Sequence, residues 1–283
     1  MTDWSDWIGR RRTIEDLVTP AMVAGLNATL DAETVEQATG AAPQAIHWLL
    51  ARLFAPMREI DSDGHPRRGG FLPPIPLPRR MWAASDVTFA APIMIGEPLK
   101  LDSVVSAITP KSGSTGELVF VEIAHTVTAG GAPRVREKQT VVFRGAGRNA
   151  GAGPEAAPDA DFVRDLIPDP VMLFRYSALT FNAHRIHYDR PYAREVEGYP
   201  DLVVHGPLTA SLLIDLCSRA LGANRLATFA FRAIGPAYVG EPLRLAARRT
   251  NAGFDLEAAA SGKVTMRASA AVGASRWRWA SVS

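Results

Sequence analysis

An internal repeat limits the folds open to this chain more than any other feature of its 283 residues. Residues 92–101 (PIMIGEPLKL) align without a gap with residues 236–245 (PAYVGEPLRL), and the first Pro, the Gly-Glu-Pro-Leu core and the final Leu are identical. An ungapped match of this quality indicates duplication of one structural unit. We therefore predict that the chain contains two copies of one domain.

The segment between the two copies differs from them in composition. Residues 145–160 (GAGRNAGAGPEAAPDA) are rich in Gly, Ala and Pro and show no apolar periodicity, a composition typical of a flexible linker. We predict an N-terminal domain over residues 1–144, a linker over residues 145–160 and a C-terminal domain over residues 161–283. The length of the chain is sufficient for two hydrophobic cores.

Both copies combine helical signals with strand-like runs. Residues 32–54 carry helical signals that Gly40 and Pro43 interrupt, and residues 207–221 (PLTASLLIDLCSRAL) form the clearest helix, with Gly222 just past its end. Runs rich in β-branched residues follow each repeat and predict antiparallel strands at residues 118–128, 138–144, 246–250, 254–260 and 263–272. A sheet that wraps a central apolar helix buries that helix most simply. We therefore predict an α+β double hot-dog fold, in which each of two fused domains wraps an antiparallel sheet around a helix.

Composition narrows the classes of partner. The formal net charge is +2 and the acidic and basic residues are interspersed, which does not predict a nucleic-acid or membrane partner. No run approaches the ~20 apolar residues that span a bilayer. The N-terminus lacks the basic and apolar regions of a signal peptide, and the single cysteine, Cys217, cannot form an intrachain disulfide. We expect a cytoplasmic protein in which Cys217 is a small core residue.

Candidate chemistry is concentrated in residues 174–193 (FRYSALTFNAHRIHYDRPYA), where Asn182, His184 and His187 fall within six residues. Two histidines three residues apart can share one face of a helical turn, a spacing that suits proton transfer, a metal pair or two structural histidines. No further Cys, His or Glu cluster in the sequence completes a metal shell. We therefore predict no metal ion and no other cofactor.

A helix N-terminus follows these residues closely. His205 and Gly206 immediately precede the predicted helix, and a glycine there lets a ligand approach a backbone N–H at the positive end of the helix dipole. An acid/base pair followed by such an N–H donor is what chemistry at a thioester carbonyl requires.

The stretch resembles the MaoC-like hydratase motif, in which Asp, Asn and His are spaced as D-x-N-P-x-H before a helix that begins with Gly. Asn182, His184, Arg185 and His187 occupy the positions of Asp, Asn, Pro and His, so the usual carboxylate is absent. The variant N-x-H-R-I-H-Y-D is similar to that of the type 2 hydroxyacyl-thioester dehydratases and the related mesaconyl- and itaconyl-CoA hydratases. The resemblance extends to His47-Trp48, to residues 69–82 (GGFLPPIPLPRRMW) and to both Gly-Glu-Pro repeats.

The resemblance implies reversible syn hydration of a 2-enoyl thioester, with a C5 dicarboxylyl-CoA such as mesaconyl- or itaconyl-CoA as the acyl-CoA substrate. It implies His187 as the principal acid/base, His184 as a second proton-transfer or water-positioning group, and Asn182 as an orienting residue. The Gly206 N–H would polarise the carbonyl. The missing carboxylate leaves the division of labour between the two histidines open.

Three other functions remain open at this point: a 3-hydroxyacyl dehydratase that uses acyl carrier protein or CoA, a non-catalytic acyl-CoA-binding subunit, and a thioesterase. A homodimer also remains open.

Further residues are candidates for substrate binding. Tyr188 and His205 adjoin the motif, and the Pro-rich segment includes arginines that suit a CoA phosphate or a distal carboxylate, although exposed arginines without a ligand fit the pattern equally. These arginines are Arg67, Arg68, Arg79 and Arg80. The Phe, Leu and Ile residues of this segment favour packing against its own domain. His47 lies in a stretch that parallels residues 185–188, and we predict a degenerate copy of the site with a structural role; nothing in the sequence indicates a role for His65 or His125.

Overall fold

The computed structural model of the chain describes residues 3–32, 40–50, 52–113, 116–145, 153–157 and 159–273. Ten antiparallel strands of these residues form one sheet, and three α-helices accompany it. The strands are β1 (Arg11–Leu17), β2 (Arg79–Phe89), β3 (Pro98–Gly113), β4 (Gly116–Ala129), β5 (Ala132–Arg144), β6 (Phe162–Leu166), β7 (Leu226–Ala233), β8 (Leu243–Arg249), β9 (Gly253–Ala260) and β10 (Lys263–Val272). The helices are α1 (Pro20–Leu30), α2 (Pro170–Thr180) and α3 (Gly206–Leu221).

The order of the strands shows the duplication directly. It runs β1-β3-β4-β5-β2-β7-β10-β9-β8-β6, so each half has the same order when it is followed from its outer edge to the centre. The central strands β2 and β7 are antiparallel, and Asp86 pairs with Ala230, its own counterpart at the offset of the repeat. The repeated turn occupies equivalent places, because Gly96 and Gly240 both adopt positive φ just before β3 and β8. The predicted duplication is therefore confirmed.

A strand and a capped helix begin each half, and the sequence patterns did not predict either pair. The side chain of Thr19 accepts a hydrogen bond from Met22 N at the start of α1, and Asp169 accepts one from Met172 N at the start of α2. A proline occupies the first turn of both helices. Such N-caps satisfy a backbone N–H that has no partner within the helix, which explains why two short helices of eleven residues begin where they do.

The predicted helix at residues 207–221 is confirmed as α3, and the sheet of the second half packs around it. Its apolar stripe is buried, and full burial of each leucine contributes about 1.5–3 kcal/mol. The buried stripe comprises Leu208, Leu212, Leu213, Leu216 and Cys217. Cys217 is a core residue as predicted, and burial raises the pKa of its thiol to about 12.

The first half has no counterpart of α3 in its described residues. Ala42 N–H donates to Ile93 O at 2.8 Å, and an equivalent 2.8 Å bond joins Val204 N to Ala237 O, so the two segments enter their halves at corresponding places. Beyond Val204 the chain forms the sixteen-residue α3, whereas beyond Ala42 it forms only a 3-10 turn at Ile46–Leu49.

Two predictions about the first half are therefore wrong. Residues 40–50 and 52–54 do not form a long helix, because Gly40 adopts φ +70° and Pro43 cannot donate a backbone hydrogen bond; residues 33–39 and 51 lie outside the described residues. His47 corresponds to the beginning of α3 and not to His187, so the parallel drawn between residues 45–48 and 185–188 does not reflect equivalent positions.

The segment predicted as a linker is anchored at its described C-terminal part. Ala156 N donates to Gly262 O at 2.9 Å, and Val264 N donates to Pro154 O at 2.9 Å, so residues 153–157 pack on the start of β10. A Cβ at Gly153 would lie 2.0 Å from Val264 O, which shows how closely the backbones approach. Residues 146–152 and 158 of the predicted linker lie outside the described residues.

The Pro-rich segment packs against its own half, as predicted. Ile75 is fully buried in a small second core, and Phe71 and Leu77 pack against that core. Arg68 holds the segment through hydrogen bonds from its guanidinium to Ile75 O at 2.6 Å and Pro78 O at 2.7 Å.

None of the described helices has both the length and the apolar character needed to cross a membrane.

Candidate active site

A cavity of about 930 Å³ lies between the two halves. Its walls include the amino end of α3, the loop that carries Asn182 to His187, residues 64–72 and the inner face of β3, β4 and β5. This inner face is the surface that a central helix would cover, so the short turn in the first half leaves the volume of the cavity open. The predicted residues His184, His187, His205, Gly206 and Asn182 all line it.

His187 is held as a neutral base. Its Nδ1 lies 2.7 Å from Val203 O, and since a carbonyl oxygen can only accept, Nδ1 carries the proton and Nε2 keeps a free lone pair. Burial lowers the pKa of His187 to about 4, although the hydrogen bond to Val203 acts in the opposite direction. At neutral pH this side chain can therefore accept a proton through Nε2.

His205 packs against the ring of His187. The two rings stack with centroids 3.6 Å apart at an interplanar angle of 20°, and His205 Nε2 lies 2.9 Å from Ser177 Oγ. Burial, followed by the proximity of His187, holds the pKa of His205 well below its usual value. Its Nδ1 is buried and has no hydrogen-bond partner among the described residues.

His184 lies on the other side of His187, with ring centroids 5.4 Å apart and nearly perpendicular rings. Burial is the main reason that its pKa lies well below the usual value, and the charges of His187 and Arg80 act in the same direction. Asn182 Oδ1 accepts a hydrogen bond from His184 N at 3.0 Å, so Asn182 fixes the backbone that presents His184.

Gly206 is the first residue of α3, directly after His205. No described residue accepts a hydrogen bond from its N–H, which lies at the positive end of the helix dipole and lines the cavity. A Cβ at this position would lie 3.6 Å from Trp82 O, an ordinary contact. The fold itself therefore leaves room for a Cβ at this position.

Two residues of the first half, Asp63 and His65, also lie at the site, although the sequence patterns did not predict them. The loop that contains them packs against the loop of residues 182–187, which we call the motif loop. Arg185 N donates to Asp63 O at 2.9 Å, and Gly64 lies against Ala183. The rings of His65 and His184 are 4.3 Å apart. The Asp-Gly-His triplet, immediately before the Pro-rich segment, was the available signal.

The predicted arginines occupy three different settings. Arg67 is exposed and lines the cavity, and Arg80 lines it closer to the histidines, with Nε 3.7 Å from Asp63 Oδ2. Arg79 does not line the cavity, because its Nε pairs with Glu197 Oε2 at 3.0 Å. Tyr188 is 51% exposed and also lies outside the cavity wall. The structure therefore brings Arg67 and Arg80, but not Arg79 and Tyr188, to the site.

Several polar side chains lie along the inner face of β3, β4 and β5, beside the cavity, and we call them the polar row. His125 bonds to Ser103 Oγ through Nδ1 at 2.8 Å and to Gln139 Oε1 through Nε2 at 3.1 Å, and burial lowers its pKa. Next to it, His47 Nε2 lies 3.3 Å from the carboxylate of the buried Glu137. Burial acts to raise the pKa of Glu137, but His47, His125 and Ser85 together outweigh it, and the pKa is lowered.

Arg12 stands at the end of this row, on the outer strand β1, where it pairs in register with Ser103. Its guanidinium lies over the ring of Phe71, 4.4 Å from the centroid, and its side chain lines the cavity. Its Nε is buried and has no hydrogen-bond partner among the described residues. No pattern in the sequence distinguishes this arginine from the others.

Donor atoms of Asp63, His65 and His184 lie within 4.8 Å of one another, close enough to hold a metal ion. However, the Arg80 guanidinium already places a positive charge 3.7 Å from Asp63 Oδ2 and lowers the pKa of His184. A second cation at this point would be repelled. We therefore interpret the three residues as a hydrogen-bonding group.

Comparisons with known proteins show what the chain as a whole resembles. The profile of a family described as hydroxyacyl-thioester dehydratase type 2 matches residues 45–239. The chain is 44% identical over 260 residues to the mesaconyl-C4-CoA hydratase of Chloroflexus aurantiacus, and the match covers 90% of this chain and 92% of that protein.

Solved structures resemble the fold as a whole. A MaoC-like dehydratase superposes with a TM-score of 0.71 at 18% identity, covering 94% of this chain and 98% of that one. A Mycobacterium tuberculosis protein described as having a double hot-dog fold superposes with a TM-score of 0.57 at 13% identity, covering 94% and 96%. These likenesses confirm the predicted double hot-dog architecture.

The extent of the profile match and the identity to the hydratase, over nearly the whole of both chains, establish the family. The chain belongs to the hydroxyacyl-thioester dehydratase type 2 family and is a hydratase/dehydratase, a carbon–oxygen lyase acting on acyl thioesters.

Proposed function

We propose that this enzyme adds water reversibly to a 2-enoyl-CoA whose acyl group carries a second carboxylate, as in mesaconyl- or itaconyl-CoA. The observation that carries the proposal is His187 Nε2, a neutral imidazole nitrogen with a free lone pair, in a cavity that begins at the open N–H of Gly206. The similarity to a mesaconyl-C4-CoA hydratase supports the acyl class.

In the hydration direction, His187 Nε2 removes a proton from water and the water oxygen bonds to C3 of the enoyl group. The π electrons of the C2–C3 bond move towards the thioester carbonyl, whose oxygen becomes an enolate. The Gly206 N–H and the dipole of α3 stabilise that oxygen, since a donor that is already in place costs no reorganisation during the reaction. Protonation of C2 then completes the reaction, with His184 as the candidate proton donor or water-positioning group.

Arg12 is the group that we assign to the distal carboxylate. A carboxylate bound to a guanidinium forms charge-assisted, often bidentate hydrogen bonds, and the buried Nε of Arg12 has no partner among the described residues. Glu137 does not neutralise Arg12, because its carboxylate contacts His47, Trp48 and Ser85. The exposed Arg67 is our candidate for the phosphates of CoA.

A second substrate class has an observation in its favour. Five apolar side chains surround the polar row on the inner face of β3, β4 and β5, and an unbranched alkyl chain could lie along them. They are Leu101, Ile123, Val127, Val135 and Val141. The family description also names a hydroxyacyl-thioester dehydratase. A 3-hydroxyacyl dehydratase, using CoA or acyl carrier protein, is therefore the alternative that the assay must separate.

We propose a division of labour in which residues 1–144 shape the acyl pocket, residues 145–160 connect, and residues 161–283 carry the catalytic motif. The support is that the polar row and Arg12 belong to the first half, whereas His184, His187 and Gly206 belong to the second. The cytoplasmic location and the homodimer stay predictions.

The deciding experiment follows the enoyl-thioester absorbance with mesaconyl-CoA, itaconyl-CoA, crotonyl-CoA and a longer unbranched enoyl-CoA. We expect turnover to be fastest with a dicarboxylyl-CoA. Preference for the long unbranched chain would favour the dehydratase alternative. Binding of these esters without turnover would favour a non-catalytic subunit, and release of free thiol would indicate a thioesterase.

The variant His187→Asn tests the acid/base role without removing the donor that bonds to Val203, because the Asn amide N–H occupies a place close to that of Nδ1. We expect kcat to fall by about 10²-fold or more. Unchanged kcat in this variant would show that His187 is not the base.

A further inference from the structure

The catalytic motif of the second half lacks a carboxylate, and hydration needs a proton at C2 as well as a base for water. No carboxylate in the described part of the chain forms a hydrogen bond to His184, His187 or His205. Protonated imidazole at any of these positions would therefore lack the anion that usually stabilises it.

The first half supplies an imidazole with such an anion. His65 N donates to Asp63 Oδ1 at 2.8 Å, and His65 Nδ1 lies 3.2 Å from Asp63 Oδ2. The carboxylate thus contacts both the backbone and the ring of His65, which fixes the orientation of the ring. His65 lines the cavity and its side chain is 23% exposed, whereas Asp63 lies behind the wall.

Three contacts hold this loop on the motif loop. Arg185 N donates to Asp63 O at 2.9 Å, and Arg185 Nη1 donates to Ser62 O at 3.0 Å, although these residues lie more than a hundred positions apart in the chain. Gly64 adopts φ +90°, and a Cβ there would lie 1.9 Å from Ala183 O. Only glycine permits this approach, so the backbone at Gly64 determines where His65 stands.

We propose that His65 is the second proton-transfer group of the active site. Asp63 is the residue that positions the His65 ring and stabilises its protonated form. The inference rests on the proposed hydration and deepens it, because it names the group that protonates C2. The dyad belongs to the first half, so each half contributes to the catalytic centre.

The proton balance closes within the cluster. His187 Nε2 takes the proton that leaves water, the C3–O bond forms, and the enolate electron pair takes a proton from His65 Nε2 to form the C2–H bond. His65 is then neutral and His187 is charged. His184 lies between them, with ring centroids 4.3 Å from His65 and 5.4 Å from His187, and relays the proton back through water or by direct contact.

The charges around the dyad suit this cycle. Burial raises the pKa of the Asp63 carboxyl, and the charges of Arg80 and Arg68 oppose that shift. The guanidinium of Arg80 limits how much positive charge the site can hold, and Asp63 compensates for the imidazolium of His65. The other carboxylate of the loop, Asp61, is exposed and does not line the cavity.

The test compares His65→Gln and Asp63→Asn with the matched control Asp61→Asn, using the dicarboxylyl-CoA that the wild type hydrates best. We expect His65→Gln to lower kcat by about 10²-fold with little change in KM, because proton transfer and not binding is lost. Asp61→Asn should retain the wild-type rate. Thermal unfolding of each variant shows whether it is folded.

Asp63→Asn provides a readout that a merely structural role would not change. The amide retains an acceptor for the His65 backbone but removes the charge that stabilises the imidazolium, so the basic limb of the kcat profile should move to lower pH. NMR titration of the His65 ring should show the same direction.

Three results would overturn the inference. Folded His65→Gln with kcat within about threefold of the wild type would exclude the proton-transfer role. An unshifted profile in folded Asp63→Asn would exclude the positioning role. Loss of wild-type activity with a chelator and recovery with Zn²⁺ would make Asp63, His65 and His184 a metal site. Wild-type protein that turns over no enoyl-CoA would instead remove the proposed function itself.

Discussion

The two halves of this protein begin alike and then use the same space differently. Each begins with an edge strand and a capped helix, and each enters its third strand through a Gly-Glu-Pro turn with positive φ at the glycine. In the second half, α3 covers the inner face of the sheet. In the first half a 3-10 turn at Ile46–Leu49 stands at that point, and the inner face lines a cavity. The described residues of the first half thus leave open, as the wall of a cavity, the face that α3 covers in the second half.

The buried histidines differ between the halves in the same way. In the second half, His184, His187 and His205 stand together without a hydrogen-bonded carboxylate among the described residues. In the first half, His47 pairs with Glu137, and His125 is satisfied at both ring nitrogens. A histidine whose Nε2 is free can exchange protons with a ligand, whereas one with both nitrogens bonded supports the structure.

The largest expected effect would separate one histidine of each half. His187→Asn should lower kcat by about 10²-fold or more while the free energy of unfolding changes little. His47→Asn should lower the free energy of unfolding by about 1–3 kcal/mol, because the buried Glu137 carboxylate loses one of its three contacts and keeps those with Trp48 and Ser85. Denaturant titrations and kcat measured on the folded fraction test both. Equal losses of kcat in the two variants, with no change in stability, would erase the distinction.

Acid should act through the histidines whose pKa is lowered by burial, of which His125 lies in the first half and the other three lie in the second. The pKa of His187 is about 4 in the folded protein, below the value of about 6.5 for an unfolded chain, so the unfolded state binds more protons between these values. The stabilisation is complete above about pH 6.5 and is lost as the pH falls towards 4, by about 1.4 kcal/mol for each pKa unit of difference. His184 and His205 act in the same direction. Urea titrations from pH 7.5 to 4.5 measure this loss, and stability that is constant over that range would contradict it.

The variant Arg12→Met tests whether the first half determines which acyl group the enzyme accepts. The methionine retains much of the apolar stem but not the charge, so a distal carboxylate would lose a charge-assisted interaction of about 1.5–3 kcal/mol. We expect KM for mesaconyl-CoA to rise by about tenfold or more and KM for crotonyl-CoA to stay the same. If both rise equally, Arg12 contributes to the general shape of the pocket and does not recognise a carboxylate.

The smallest predicted effect tests what the halves still share. Gly96 and Gly240 have φ of +84° and +79°, and nothing lies within 4 Å of a Cβ built on either. Gly96→Ala and Gly240→Ala should each lower the free energy of unfolding by about 1 kcal/mol, through backbone strain alone. A several-fold difference between the two losses, measured by thermal unfolding, would show that the repeated turns are no longer equivalent.

Local patterns in the sequence determined a large part of the fold and some of the site. The repeat predicted the duplication, the apolar stripe predicted α3, and the strand-like runs after each repeat correspond to β4, β5, β8, β9 and β10. The motif identified His184, His187 and Gly206, which the structure brings into one cavity. These features depend on residues close together in the chain, where periodicity, capping and turn residues act directly.

Tertiary structure alone decided how the first half contributes. Gly40 and Pro43 interrupt the helical signals locally, but only the packing of the whole chain decides that the inner face of β3, β4 and β5 stays open as the wall of a cavity. The approach of Gly64 to Ala183 and the place of Arg12 beside the cavity depend on how distant segments dock. The sequence shows the chemistry of such residues. It does not show the distances between them, because the packing of the whole chain sets those distances.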